Sequence, residues 1–133
     1  MMNAGIFKKY DIRGTYPSEV NEEVFFEIGR ALGKFFRRGK IIAGRDARLS
    51  SPKLYQAVIN GLKQPPSDLK IISAGLMTTP MFYFLVNKFQ ARGGIMITAS
   101  HNPKESNGMK IVGGKAIPIS GSEVFKLMKN NGK

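Results

Sequence analysis

Residues 98–110, with the sequence TASHNPKESNGMK, form the densest polar stretch of the chain. They follow a short apolar run, and open α/β sheets place their ligands at the carboxyl ends of such strands. A serine at this position can present its hydroxyl as a phosphoryl acceptor, while loop amides and nearby cations stabilise the charge in transfer. Ser100 is therefore the first candidate catalytic residue.

The same residues also have a purely conformational explanation. Ser100 and Asn102 suit a turn ahead of Pro103, because short polar side chains hydrogen-bond to the backbone of such turns. His101 adjoins Ser100, but adjacent residues on a strand point to opposite faces, so His101 is not automatically its base. The stretch alone leaves both interpretations open.

Apolar residues at helical spacing predict three helices, and a short fourth helix follows near the end. The first follows Asn21, the second starts with Ser51 as cap and Pro52, the third starts at residues 79–80, and the fourth follows a capping box at residues 120–123. Strands and helices alternate in this order.

Short apolar runs predict the strands of a sheet. The first three runs are residues 40–44, 69–75 and 94–99. Residues 108–113 follow too closely for a crossover helix, so they are expected to pair antiparallel to the third strand. The order predicts an α/β fold, namely a three-layer α/β/α domain with a mixed, mainly parallel four-stranded sheet.

Composition restricts the class of protein. A chain of 133 residues with 42% apolar residues can form a core, which excludes a disordered tail. With no cysteine, no apolar leader and no long apolar stretch, we expect a soluble protein of the cytoplasm with no membrane partner. The net charge of +12 favours an anionic partner, of which a phosphorylated metabolite is one kind and nucleic acid another.

Four blocks in order resemble the alpha-D-phosphohexomutases. Residues 98–103 (TASHNP) resemble the phosphoserine loop of that family, and residues 104–110 (KESNGMK) continue it. Residues 10–14 (YDIRG), 44–50 (GRDARLS) and 75–80 (GLMTTP) resemble its other N-terminal motifs. The form YDIRG is more similar to the phosphomannomutase/phosphoglucomutase branch than to the phosphoglucosamine mutase branch.

The resemblance implies a reaction and a set of residues. Such enzymes donate the phosphoryl group of a serine to a hexose 1-phosphate or 6-phosphate of mannose or glucose, and recover one from the other end of the reoriented bisphosphate. The resemblance implies catalytic roles for Ser100, Lys110, Arg13 and His101, and substrate-facing roles for Tyr10 and Asn102. Lys110 is the candidate for proton transfer.

Residue chemistry is consistent with these roles. Phosphoserine carries roughly −1.5 to −2 charge, so cations must offset its repulsion with a sugar phosphate. Arg13 alone would be interpreted as a surface arginine and Lys110 alone as a solvated strand end. Arg45, Asp46 and Arg48 are expected to form a structural tie, because an Arg–Asp pair in a loop is usually internal.

The resemblance covers one domain of a longer family chain. It implies Mg²⁺ held by the phosphoserine oxygen of Ser100 together with an Asp-rich loop of a second domain, and hexose 1,6-bisphosphate as activator. This chain has nine acidic residues and no Asp-x-Asp-x-Asp cluster. We therefore expect residues 1–133 to be domain I of a chain cut short within its last helix. Domains II–IV would lie outside it, and domain I alone would lack mutase turnover.

Two other functions compete with this one. A free-standing module could bind a sugar phosphate through the Ser100 region without turnover. A nucleic-acid binder would use the basic surface, but the sequence has no recognition motif and no interleaved exposed aromatic residues. The predicted partners are therefore a hexose phosphate and the remaining domains, without nucleic acid.

Overall fold

The computed structural model describes residues 2–131; Met1, Gly132 and Lys133, which the predicted domain includes, lie outside the described residues. The elements in chain order are β1 (Ile12–Thr15), α1 (Glu22–Phe36), β2 (Arg38–Arg45), α2 (Ser51–Leu62), β3 (Asp68–Leu76), α3 (Thr79–Lys88), β4 (Gly93–Ile97), β5 (Ser106–Gly113), β6 (Pro118–Ile119) and α4 (Gly121–Asn131). Short 3-10 turns occupy Ala4–Ile6 and Gly114–Ala116.

The sheet is mixed, with the order β1-β5-β4-β2-β3 and with β6 also paired to β5. β2 lies parallel to both β3 and β4, whereas β5 is antiparallel to β4, as the short connection predicted. The described sheet has six strands rather than the predicted four. β1 and β6 were missed because four and two residues are too short to show an alternating pattern, and both pair antiparallel to β5.

Helices cover both faces of the sheet, which confirms the three-layer architecture. α1, α2 and α4 enclose the larger core, in which Phe25, Leu32 and Leu54 are fully buried. α3 covers the other face through Phe82 and Val86. Burying each such side chain contributes about 1.5–3 kcal/mol, so the two cores fix the sheet that carries the loops at its edge.

The helices start at the kinds of capping residue that the sequence predicted, but the cap of α2 is one residue earlier than expected. The Asn21 side chain accepts a hydrogen bond from the Val24 amide at 2.9 Å, and Ser120 and Glu123 form the predicted reciprocal capping box. Ser51 is the first residue of α2 rather than its cap, a position that Ser50 occupies. The Ser51 hydroxyl instead donates to Asp46, because that carboxylate lies directly beside the start of the helix.

Within residues 2–131, every helix is too short or too polar to cross a bilayer.

Candidate functional site

The ends of two parallel strands bring the candidate residues to one edge of the sheet. Arg45 at the end of β2 pairs with Ile97 at the end of β4, and the Asp46 amide donates to the Ile97 carbonyl at 2.9 Å. Residues 98–105, which we call the Ser100 loop, connect β4 to β5. The segment 46–50 leaves β2 beside it, so two loops meet where α/β sheets place their ligands.

The Ser100 loop has a defined backbone conformation. Ser100 is exposed and adopts a left-handed backbone with φ of 56°, which costs an L-residue about 1–2 kcal/mol. Its amide donates to Thr98 Oγ1 at 3.0 Å, and both the amide and the side-chain nitrogen of Asn102 donate to the Ala99 carbonyl. Asn102 therefore makes the turn that its residue type predicted, and Ser100 lies on that turn in an uncommon conformation.

Arg48 reaches from the segment after β2 into the Ser100 loop. Nη2 donates to the carbonyls of Ser100 (2.9 Å) and Asn102 (2.8 Å), and Nη1 donates to those of Pro103 (2.6 Å) and Ser106 (3.0 Å). Nε donates to Asp46 Oδ2 at 3.3 Å. Arg45 Nη1 donates to the Asp46 carbonyl at 3.1 Å, so all three residues of the expected tie are in contact, and through Arg48 the tie extends to the loop.

A second set of polar contacts joins this tie to β5. Ser51 Oγ donates to Asp46 Oδ1 at 2.5 Å, and the Asn107 side-chain nitrogen donates to Ser51 Oγ at 2.9 Å. Asn107 is fully buried, and its side-chain oxygen accepts from the Gly108 amide at 2.8 Å. Sequence reasoning missed Asn107. Asn107 lies in a run of polar residues just before the predicted strand, so no sequence signal marked it as buried.

Two candidate cations lie on the neighbouring strands β1 and β5 and share one carboxylate. Arg13 Nε is 2.9 Å from Asp11 Oδ1, and Lys110 Nζ is 3.9 Å from Asp11 Oδ2. In the β1–β5 register Arg13 lies opposite Gly108 and Ile12 opposite Met109, so Asp11 continues the register opposite Lys110. Asp11, Arg13 and Lys110 therefore occupy one face of the sheet.

Asp11 is the functional candidate that sequence reasoning overlooked. Its side chain is only 6% exposed, while those of Arg13 and Lys110 are 37% and 27% exposed. Asp11 and Arg13 are two positions apart, a spacing that places both side chains on the same face of an extended chain. That spacing was the signal available in the motif at residues 10–14.

Two glycines allow the elements around Asp11 to approach one another. A side chain on Gly108 would collide with the Ile12 carbonyl and would lie 2.9 Å from Arg13 Cγ. Gly121, the first residue of α4, packs directly against the backbone of Lys8 and Asp11. β5 and α4 therefore both fix the position of the Asp11 backbone.

The remaining candidates differ in their surroundings. Tyr10 is 73% exposed at the tip of a tight turn, which the Lys8 amide closes by donating to the Asp11 carbonyl at 2.8 Å. Asn102 and Arg13 line one concavity together with Lys8 and Ser106. Tyr10 and His101 are not among the described residues that line it, and His101 is exposed in the Ser100 loop.

The side chains around this concavity suit an anion better than a metal ion held by this chain alone. Among residues 2–131, no group of three or more His, Cys, Asp or Glu side chains is close enough to hold a metal ion. The concavity instead presents the cationic side chains of Lys8 and Arg13 together with the carboxylate of Glu19, and such cations are suited to an anionic group. A metal ion bound at Ser100 would therefore need further ligands from outside these residues.

The family model for phosphoglucomutase/phosphomannomutase, alpha/beta/alpha domain I, matches residues 4–132. A phosphomannomutase from Klebsiella pneumoniae is 46% identical over 129 residues, which cover 94% of this chain and 81% of that protein. A phosphomannomutase from Escherichia coli is also 46% identical over 129 residues, which cover 94% of this chain and 28% of that protein. The chain thus spans little more than a quarter of the Escherichia coli relative.

Solved structures agree with the fold. A crystal structure of a phosphoglucomutase/phosphomannomutase family protein from Burkholderia thailandensis superposes with a TM-score of 0.83 at 33% identity, covering 98% of this chain and 30% of that one. A crystal structure from Thermus thermophilus has a TM-score of 0.80 at 24% identity, covers 97% of this chain and 30% of that one, and supports the fold alone.

Proposed function

This chain belongs to the phosphoglucomutase/phosphomannomutase family as its alpha/beta/alpha domain I, and from that premise we propose that Ser100 carries the phosphoryl group in an isomerase acting on hexose phosphates. The observation that carries the proposal is the placement of Ser100. It is exposed in a left-handed turn after β4, in a loop that Arg48 ties to the segment after β2. Backbone strain of this kind persists only where the surroundings enforce it, and it is common at functional sites.

The proposed reaction moves one phosphoryl group at each end of the sugar. A hydroxyl of hexose 1-phosphate attacks the phosphorus on Ser100, the bond between that phosphorus and Ser100 Oγ breaks, and Oγ gains the proton that the hydroxyl loses. The resulting hexose 1,6-bisphosphate reorients. Ser100 Oγ then attacks the phosphorus at position 1, the sugar oxygen leaves with a proton, and hexose 6-phosphate is released.

The cations on β1 and β5 fit this chemistry. Phosphoryl transfer depends mainly on positioning and on stabilising charge, and Arg13 and Lys110 provide positive charge on one face of the sheet. Asp11 holds both side chains, while Asn102 and Arg13 line the same concavity. We assign Arg13 to the phosphoryl groups, Lys110 to proton transfer, His101 to a catalytic role beside Ser100, and Tyr10 and Asn102 to contacts with the substrate.

Completion of the site requires residues beyond this chain. We propose that residues 1–133 act as the first domain of a longer cytoplasmic polypeptide whose other domains bind the sugar. When bound, Mg²⁺ would neutralise charge on the transferring phosphoryl group. Phosphoserine oxygen at position 100 is a hard ligand that this ion prefers, and the other ligands would come from another domain. Hexose 1,6-bisphosphate would restore phosphoserine at position 100.

The decisive variant is Ser100→Ala in the polypeptide as it occurs in the source cell. We expect mutase turnover to fall by roughly a thousandfold or more, because the nucleophile is removed. Ser122→Ala, at an exposed position on α4, is the matched control and should retain turnover. Near-normal turnover in Ser100→Ala would reject the assigned role.

Measurements of binding, turnover and Ser100 phosphorylation in the native polypeptide separate the enzyme from a binding module. Sugar-phosphate binding by the native polypeptide without turnover, and with Ser100 never phosphorylated, would favour the module. Turnover by residues 1–133 alone, free of contaminating enzyme, would contradict the proposal that other domains complete the site.

A further inference from the structure

Arg48 makes more contacts with the Ser100 loop than a surface ion pair requires. We propose that Arg48 is a positioning residue that sets the conformation in which Ser100 undergoes phosphoryl transfer, an inference that rests on the proposed function of Ser100. Arg48 would act through the loop rather than on the substrate. Its side chain is only 13% exposed, in keeping with an internal role.

The hydrogen-bonding capacity of the guanidinium is fully used. Arginine has five N–H donors in a planar fork, and here they meet three carbonyls of the Ser100 loop, the first carbonyl of β5 and one carboxylate oxygen. The carbonyls belong to Ser100, Asn102, Pro103 and Ser106, so the contacts extend from the reactive residue to the start of β5. Lysine at this position has only three donors on one nitrogen and cannot reproduce the pattern.

These contacts also orient loop amides. In a trans peptide the carbonyl and the following N–H point in opposite directions. Because the Ser100 and Pro103 carbonyls point at Arg48, the amide N–H groups of His101 and Lys104 point away from it. Arg48 therefore determines which way these two donors face, and backbone donors of this kind stabilise phosphoryl groups.

Arg48 is itself held in place by Asp46. The Arg48 amide donates to Asp46 Oδ1 at 3.1 Å, and its Nε donates to Asp46 Oδ2 at 3.3 Å. Ser51 Oγ also donates to Asp46, and the buried Asn107 donates to Ser51. The guanidinium thus links the Ser100 loop to the start of α2 and to β5, which are rigid elements of the fold.

The first test follows loop order directly, without any phosphoryl chemistry. Arg48→Lys and the control Arg30→Lys, an exposed position on α1, are compared with the parent chain by ¹⁵N relaxation and amide hydrogen exchange. We expect Arg48→Lys to increase motion and exchange at the amides of His101 and Lys104, with Ile95 in β4 unchanged. Unchanged loop amides in Arg48→Lys would overturn the proposal.

The second test measures the consequence for catalysis in the native polypeptide. We expect Arg48→Lys to lower kcat, and the rate at which glucose 1,6-bisphosphate phosphorylates Ser100, by about a hundredfold, because a small misplacement of the reacting group has that effect. KM should change far less, since Arg48 does not touch the substrate. An unchanged kcat, or a loss confined to KM, would overturn the proposal.

Two further comparisons keep the outcomes distinct. Asp46→Asn is the second variant, for use if Arg48→Lys does not fold. It retains the Arg48 donors but loosens their support, so its loss of kcat should be smaller than the roughly hundredfold loss expected for Arg48→Lys. Full activity and loop order in Asp46→Asn would count against the proposal. A parent polypeptide in which Ser100 is never phosphorylated would refute the proposed function. The relaxation and exchange measurements would still decide whether Arg48 fixes the conformation of the Ser100 loop.

Discussion

Asp11, the residue directly before β1, lies beside Lys110 of β5, with Lys110 Nζ 3.9 Å from Asp11 Oδ2. The other oxygen of the same carboxylate is 2.9 Å from Arg13 Nε. One nearly buried negative charge therefore separates two cations that would otherwise repel each other. The strand register places Arg13 and Lys110 on one face of the sheet, and this carboxylate offsets the repulsion between them.

Removal of that charge should disturb both cations. Asp11→Asn is expected to lower turnover of the native polypeptide by about a hundredfold, because Arg13 and Lys110 lose their common anchor. It should also lower the free energy of unfolding by about 1–3 kcal/mol. Glu27→Gln, which alters an exposed pair with Arg30, is the control and should change neither quantity. Equal behaviour of the two variants would refute the role of Asp11.

Arg13 and Lys110 should be needed for turnover more than for folding. Both side chains are partly exposed, so Arg13→Ala and Lys110→Ala are expected to keep the fold while each lowers turnover by roughly a thousandfold. Circular dichroism and urea unfolding check the fold, and a coupled mutase assay checks turnover. Lys70→Ala, at an exposed position on β3, is the control. Loss of folding in the first two variants would show that these residues are structural.

Gly108 permits the close approach of β1 to β5. In Gly108→Ala the new methyl group would meet the Ile12 carbonyl and Arg13 Cγ, so the strands must separate. We expect a loss of about 1–3 kcal/mol in the free energy of unfolding and lower turnover as Arg13 moves. Gly113→Ala, where the nearest atoms lie at ordinary contact distance, is the matched control. Full stability of Gly108→Ala would contradict the described register.

Tyr16 gives the chain a stability contribution that depends on pH. Its hydroxyl donates to Glu22 Oε1 at 2.9 Å, and this hydrogen bond, burial and the charge of Glu22 raise the pKa of Tyr16 above its ordinary value of 10.0. Because the folded state favours the neutral phenol, the contribution is complete below the unfolded pKa. It is lost as pH rises through the raised pKa of the folded state.

Tyr16→Phe should therefore lower the free energy of unfolding by about 1 kcal/mol at neutral pH. The difference from the parent chain should shrink as pH rises above about 10. Urea unfolding across this range measures both quantities. A difference for Tyr16→Phe that stays constant with pH would contradict the assignment.

The long elements could be predicted because their patterns repeat. α1 contains several turns with buried residues on one side, and β4 is a fully buried run. β1 and β6 carry too few residues for any period to show, and they become strands only by pairing with β5. Their existence depends on tertiary contacts that local sequence does not encode.

The candidate site divides in the same way. Ser100 could be identified from a polar loop after an apolar strand, and from its resemblance to a known motif. The partners of Arg48 could not, because they lie more than fifty residues away along the chain and are backbone carbonyls, which every residue possesses. Asn107 and Asp11 were missed for a related reason, since burial and shared contacts gave them their roles.

Mass spectrometry of the native polypeptide from its source cell tests the central proposal most directly. Peptide mapping would give the modification state of Ser100 and the length of the chain in one experiment. We predict a phosphorylated Ser100 in a polypeptide much longer than 133 residues. An unmodified Ser100 in a native chain of this length, or phosphorylation at another residue instead, would contradict the proposal.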